Sequence, residues 1–553
     1  MKKRKKRPTP PTLDAGNFDV SRELLGEAAR DLQAGKAVAA LALIRQVLTS
    51  EPDNADALNL CGVAFFHTGD VDEAVSMLET AIAFRPDFAD ALNNLGNVFK
   101  EVQRYADAES VYLKALAVDP DYMSARYNLG IVLEVSDRFA DAEGCYRQCL
   151  ERDKYFAPAH FNLGNVLKAL GRMQEARTAY RRAITLQPDF AEALSNLGTV
   201  EMELSNPTDA IHAYRQAIGA NPGFADAHYN LGIALQEAGE HEDAIASYEK
   251  TLSCDPAHAG AQINIGYALK ELGRLDDAAE AYDKAIATAP DYDKVRVNLG
   301  DIYLAEGKPE DALGLCDEFL ESHPGNISVL AFKAIVLEEL GQKDGVAELY
   351  DYDRLLGPVN VSAPEGFADL AAFNEALSEH VLGHPSLVHA PATHATRFGR
   401  HSGELLVDPK GPMEAFEKMV TQAVDGYRGT RPPEPGHPYL ASRPEKMSLS
   451  VWGVAMDAQG HQLAHIHPSA WLSGVYYPRL PSVIGEDDPD HAGWIEFGRA
   501  PDDFHALKTP TGKLIMPQEG LMILFPSYFY HRTIPFEADD VRISIAFDVL
   551  ARD

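Results

Sequence analysis

A period of 34 residues constrains this chain more than any other feature. Prolines stand at 52, 86, 120, 188, 222, 256, 290 and 324, and Lys154 takes the slot between 120 and 188. Glycines fall on the same step at 62, 96, 130, 164, 198, 232, 266 and 300. Alanines follow it at 40, 74, 108, 142, 176, 210, 244, 278 and 312, and tyrosines at 112, 146, 180, 214, 248 and 282. One such copy is too short to bury its own apolar face, so successive copies must stack. Glycine inside a helix costs about 1 kcal/mol relative to alanine, so a periodic glycine implies that something must come close to it. The alanine series gives the second helix of each copy a small face. The tyrosines are expected to fill the space between copies. The prolines end one unit and begin the next. Pro86-Asp87-Phe88 and Pro188-Asp189-Phe190 predict helix starts with the proline and the acid in the first turn.

These series resemble the tetratricopeptide repeat. Nine good copies begin at 21, 55, 89, 123, 157, 191, 225, 259 and 293, and a degenerate tenth begins at 327, where Ala334 replaces the glycine. The resemblance implies stacked helical hairpins and a superhelix with a concave groove. Two residues before each glycine runs a further series, Asn94, Asn128, Asn162, Asn196, Asn230, Asn264 and Asn298. An amide side chain offers donors and an acceptor together. A ladder of them could hold an extended peptide by its backbone; the alternative is that each asparagine bonds within the repeats. Here the chain is similar to the repeat region of O-linked N-acetylglucosamine transferases, which present such a ladder to protein substrates. No glycosyltransferase domain follows the repeats, so that activity does not carry over.

The period fades after Tyr350, and the stretch from Gly357 to Pro364 reads as a break. A helix is expected over 366–382. A histidine-rich segment follows, with His380, His384, His389, His394 and His401. Pro385 and Pro391 interrupt it, so no single helix presents these histidines, and they read as surface or structural. An amphipathic helix is expected over 413–428. Strands are expected over 446–456, 471–477, 493–498, 521–526 and 541–549, which alternate or are apolar. In the last, Val541, Ile543, Ile545 and Phe547 share one face, while Arg542, Ser544 and Ala546 share the other.

The chemistry concentrates in 461–550. His465 and His467 stand two apart on an extended segment, so both point to one side. His531 follows the apolar run Leu521 to Pro526, and Arg542 follows 11 residues later. A buried arginine needs a partner, and a carboxylate is suited to it because two parallel bonds can form. With Ser473-Gly474-Val475-Tyr476-Tyr477, this stretch resembles the catalytic core of the 2-oxoglutarate/Fe(II)-dependent oxygenases, over roughly 360–550. The resemblance implies that His465 and His531 hold Fe(II), that Arg542 binds the distal carboxylate of 2-oxoglutarate, and that Ser544 adds a hydroxyl. Only one of Tyr476 and Tyr477 can point inward, and Tyr477 is assigned to the co-substrate pocket. Trp452, Trp471 and Trp494 read as core or rim. The departure is His467, which stands where the family has a carboxylate. Three imidazoles bring no charge of their own. Three readings stay open beside a three-histidine site: Asp457 as a third ligand, His467 outside the coordination sphere with water in its place, or histidines that hold no metal.

Composition bounds what surrounds this core. A net charge of −33 argues against nucleic-acid binding, which needs a basic face. The basic run Lys2 to Arg7 has no apolar run behind it, so residues 1–20 read as a tail rather than a secretory signal. Five cysteines, Cys61, Cys145, Cys149, Cys254 and Cys316, form no framework and suit a reducing, cytoplasmic setting. No apolar run reaches 18 residues, so no membrane span is expected. The expected fold is multidomain: an all-α tetratricopeptide superhelix over 21–356, then a mainly-β double-stranded β-helix, or jelly roll, over 357–553 with supporting helices. The expected function is 2-oxoglutarate-dependent hydroxylation of a protein or peptide held by the repeats. The rival readings are a scaffold with a degenerate barrel and a three-histidine metal dioxygenase that needs no 2-oxoglutarate.

Overall fold

A computed structural model describes residues 15–390, 395–502, 504–508 and 510–552. The 1–20 tail, for its first 14 residues, and His394 lie outside them. The chain forms two compact units that divide between Pro256 and Ala257.

In the first unit helices run in pairs, from Ala15–Gln33 with Ala37–Ser50 to Ala225–Glu237 with His241–Cys254. The periodic glycine is explained by its own repeat. A Cβ on Gly96 would stand 2.4 Å from Tyr112, and one on Gly164 would stand 2.5 Å from Tyr180. The tyrosine ring therefore fills the space between the two helices of its own repeat, while its hydroxyl reaches the next repeat, Tyr146 to Asn162 and Tyr180 to Asn196. Gly164→Ala should cost about 1–3 kcal/mol despite the better helix propensity of alanine, because the ring has nowhere to go. Gly144→Ala is the control, since nothing lies within 4 Å of its Cβ. Paired thermal melts of the two variants decide the point. The prolines also sit elsewhere than expected: Pro86 lies in the turn between helices, and the next helix begins at Ala89 after Phe88.

The second unit opens with the remaining repeats, Ala259–Glu271 with Leu275–Thr288, then Asp293–Ala305 with Pro309–Ser322. The degenerate repeat pairs Ile327–Glu339 with a shortened helix, Lys343–Leu349. Val329 through Phe332 and Ala334 through Leu337 are all buried. That helix is apolar all round because the β fold covers the side that a stacked repeat would leave open.

The β fold is one curled antiparallel sheet of jelly-roll type. Its strands are β1 (Gly357–Asn360), β2 (Val388–His389), β3 (Thr396–His401), β4 (Met447–His465) and β5 (Leu472–Arg479). They continue with β6 (Ile495–Phe497), β7 (Lys513–Ile515), β8 (Leu521–Pro526), β9 (His531–Thr533) and β10 (Arg542–Ala551). The order is β1-β8-β5-β10-β4-β9-β6-β7, with β3 also on β4 and β2 on β3. Strand β4 makes the corner. Its first half pairs with β10 and its second half with β9, with bulges along it that let it change direction. The expected strand ended at Met456; the chain instead stays extended to His465 because β9 supplies a new partner. The short strands β1, β2, β3, β7 and β9 carried too little pattern to be read beforehand. Helices Leu370–Gly383 and Met413–Thr430, close to the expected 366–382 and 413–428, supply the buried Phe373, Leu377, Phe416, Val420 and Val424. The phenol of Tyr476 donates to Asn374 on the first of these helices. Phe416 meets Tyr476 and Phe547.

Two contacts tie the β fold to the last repeats of its unit. The hydroxyl of Tyr528, in the turn just before His531, donates to the Leu349 carbonyl, and Phe529 meets Tyr350 edge-on at 5.0 Å. Beyond β6, a strap reaches the repeat helices. Asp301 accepts from the His505 amide at 2.8 Å and from Lys270 at 2.6 Å, and Glu339 accepts from the amides of Leu507 and Lys508 at 2.9 Å. Asp301 lies three residues after Asn298, on the same helix face.

Candidate metal centre and co-substrate pocket

His465 ends β4 and stands directly opposite His531 on β9. His467 lies just past the strand, where its amide donates to the Ser527 carbonyl. Ligand atoms of these three imidazoles all lie within 4.8 Å of one another, and no other group of three such residues occurs among the described residues. Each ring uses Nδ1 outward. His465 donates to the Leu463 carbonyl at 2.7 Å and His531 to the Phe529 carbonyl at 3.0 Å. His467 donates to the Asp548 carboxylate at 2.9–3.0 Å. With Nδ1 protonated, Nε2 carries the lone pair in all three. Nε2 of His467 is buried and has no hydrogen-bond partner, as suits an atom that would ligate a metal. Burial, and then the neighbouring His467, brings the His465 imidazole down to about 4. Burial and both other histidines hold His531 well below the usual histidine range. Both are therefore neutral at neutral pH, the form that ligates.

Arg542 opens β10, a central strand paired on both sides, and is 1% exposed. That rules out a surface arginine on an edge strand. It donates to the Ser544 hydroxyl at 3.4 Å and toward the Met456 sulfur at 3.8 Å, and the Tyr477 hydroxyl lies beside it. Its guanidinium sits 5.1 Å from the Tyr477 ring centre, and burial pushes the Tyr477 phenol up to about 12, so the ring brings no negative charge. Among the described residues no carboxylate pairs with Arg542, and its Nε is buried without a partner. Arg542, Ser544, Tyr477 and the three histidines line one cavity of about 150 Å³. A wider hollow of about 690 Å³ shares Ala395, Gln462, His465 and Thr533 with it and is walled by Arg397, Arg499 and the strap residue Phe504.

Several expectations change here. Asp457 is no ligand: it is half-exposed and faces Arg400 at 3.6 Å, away from the triad. The structure brings His467 to the triad rather than leaving it aside. Trp452 lies against the site, stacked on His467 at 5.6 Å and on His401 at 6.0 Å. His380, His384, His389 and His401 do not gather into a cluster of ligands. Asp548 was missed. The signal was present, since Asp548 continues the inward series Arg542, Ser544, Ala546 by one more step of two.

The asparagine series is half-buried along its length. Asn94 donates to Asn59 at 2.9 Å, Asn128 to Asn97 at 2.9 Å, Asn162 to the Tyr127 hydroxyl at 3.0 Å and Asn196 to Asn165 at 2.9 Å. In these four the amide nitrogen donates between neighbouring repeats, and Asn128 also reaches Asn93 at 3.3 Å.

Residues 450–548 match the family described as "Putative 2OG-Fe(II) oxygenase". Tetratricopeptide repeat families match at 31–97, 87–154, 164–205, 195–259 and 263–327. The chain belongs to the tetratricopeptide repeat proteins and carries a 2OG-Fe(II) oxygenase-family domain. Solved structures similar to this repeat protein include MamA, at 30% identity over 29% of this chain and 94% of that one, with a TM-score of 0.28. YrrB, titled a TPR protein with an unusual peptide-binding site, matches at 25% identity over 33% of this chain and 95% of that one, with a TM-score of 0.30. PilF of Pseudomonas aeruginosa matches at 21% identity over 38% of this chain and 96% of that one, with a TM-score of 0.36. No curated protein matches the repeat protein. None of its described helices is long and apolar enough to cross a membrane, and all five cysteines are free.

Proposed function

We propose that this chain is a 2-oxoglutarate- and Fe(II)-dependent hydroxylase, with residues 357–553 as the catalytic part and the repeats of 21–356 recruiting a protein or peptide substrate. The observation that carries this reading is Arg542. A guanidinium buried without a counter-charge is costly, and here it shares a cavity with three imidazoles whose Nδ1 atoms are already bonded, leaving Nε2 to ligate. A small dianion that chelates metal with one end and reaches a guanidinium with the other fits both halves of that cavity. A three-histidine dioxygenase with no 2-oxoglutarate has no use for Arg542. Bound iron with 2-oxoglutarate supplies the oxygen chemistry. His465, His467 and His531 hold the metal, Arg542 and Ser544 receive the distal carboxylate, and Tyr477 closes that end of the cavity against water.

The test is anaerobic Fe(II) titration with and without 2-oxoglutarate, watching the visible metal-to-ligand charge-transfer band. A band that disappears in Arg542→Ala supports the reading. Iron binding without a band favours the dioxygenase, and no iron binding favours the scaffold.

Recruitment by the repeats rests on Asn94, Asn128, Asn162, Asn196, Asn230, Asn264 and Asn298. Asn128 donates to both Asn93 and Asn97, Asn162 meets both Tyr127 and Tyr146, and Asn196 meets both Asn165 and Tyr180, so the side-chain carbonyl is the group offered to a peptide backbone. The strap is an internal example of such capture, since Asp301 and Glu339 hold three backbone amides of one segment. Asn162→Ala with Asn196→Ala should weaken partner capture about tenfold, at roughly 0.5–1.5 kcal/mol per hydrogen bond. Substrate-uncoupled 2-oxoglutarate turnover should stay unchanged. Equal capture by the double variant, measured by pull-down against the parent, would remove the ladder from the reading. Given the free cysteines and the acidic surface, we place this activity in the cytoplasm, with no nucleic acid involved.

A further inference from the structure

Three imidazole ligands leave the site without the negative charge that a ligating carboxylate brings. The structure holds one carboxylate a single hydrogen bond further out. Asp548 faces inward from β10, opposite Ser450 on β4 and Ser473 on β5. Its two oxygens lie 2.9 and 3.0 Å from Nδ1 of His467. Ser473 donates to it at 2.6 Å, and the Ser473 and Ser527 hydroxyls meet at 2.8 Å. Ser527 in turn accepts the His467 amide through its carbonyl. Backbone and ring of His467 are thus fixed by one connected group, while Trp452 stacks on the ring face.

The other two histidines rest on neutral backbone carbonyls. Only His467 rests on a charge, and His467 is the residue that replaces the carboxylate expected from the sequence resemblance. Nε2 of the same ring is buried and has no partner. With Nδ1 taken by Asp548, Nε2 is the atom left to face the triad.

We propose that Asp548 is a positioning residue for the metal centre. It holds His467 with Nε2 aimed at the metal and supplies, through that hydrogen bond, the charge missing from the ligand set. This rests on the reading of the triad as an iron site.

The experiment uses the full chain and Fe(II) itself, titrated anaerobically. Asp548→Asn, which keeps the shape and drops the charge, should weaken Fe(II) binding about tenfold, and Asp548→Ala by up to about 100-fold. Asp548→Glu should recover part of the loss. Metal-free melting should be unchanged in Asp548→Asn, which carries the test if the alanine variant folds poorly. Histidine ¹⁵N resonances of the metal-free chain give a second readout. The parent should show His467 as a single Nδ1–H tautomer, and Asp548→Ala a mixture. If Asp548→Asn and Asp548→Ala bind Fe(II) as tightly as the parent while His467→Ala does not, the proposal is overturned and the iron reading stands. If the parent binds no Fe(II), both fall. An unchanged tautomer in Asp548→Ala overturns the orienting role.

Discussion

Arg542→Ala is expected to lower the affinity for 2-oxoglutarate by about 100-fold or more, since truncating one side of a buried, hydrogen-bonded charge pair costs roughly 2–5 kcal/mol. The metal should still bind, because the three histidines are held by Leu463, Asp548 and Phe529 rather than by Arg542. The metal-free fold should melt at the parent's temperature or above it. A buried guanidinium with no counter-charge is a burden on the unliganded protein, and removing it offsets the small cavity left behind. Arg542→Lys separates charge from shape. It keeps the cation but loses the planar pair of parallel bonds, so its affinity should fall between parent and alanine. Calorimetric titration of 2-oxoglutarate into the Fe(II)-loaded protein measures all three. Parent-like affinity in the alanine variant would take the co-substrate away from Arg542.

His531→Ala is expected to lower Fe(II) affinity on the order of 100-fold or more, the share of one ligand in three of a binding energy that reaches about 10–16 kcal/mol for structural zinc and is smaller for Fe(II). His531 is buried between Phe525, at 4.6 Å, and His465, at 4.2 Å, so no water-exposed side chain can swing in to replace it. Asp457→Ala is the companion measurement and should bind Fe(II) as the parent does, since Asp457 faces Arg400. If Asp457→Ala lost iron and His531→Ala did not, the three-histidine centre would be wrong. Loss in both would mean a coordination sphere that rearranges on binding.

The two predictions differ in how far they were readable beforehand. Arg542 and Ser544 announce themselves by alternation on an apolar strand, and Asp548 belongs to the same series. It went unread because nothing local distinguishes it from a solvated acid near a strand end. Its meaning comes from His467, 81 residues away. Tyr477 was assigned to the pocket from the resemblance, and its neighbour Tyr476 turns the other way, bonded to Asn374 on a covering helix. Trp452 reads as one more core aromatic until its ring is found against His467.

By itself the sequence determined the repeat architecture, because a period of 34 residues is a local property written many times over, and each copy supports the same reading. It also determined which residues of the last strand share a face, because strand alternation is equally local. Tertiary structure decided the rest. The glycine–tyrosine pairing within six of the repeats, the inter-repeat bonds of the asparagines, the strap on Asp301 and Glu339, and the rejection of Asp457 all depend on residues brought together from separate elements. So does the carboxylate behind His467, which exists only because β10 lies between β4 and β5 in one register. Side-chain period sets the face a residue takes; the register of a curled sheet sets what it meets there.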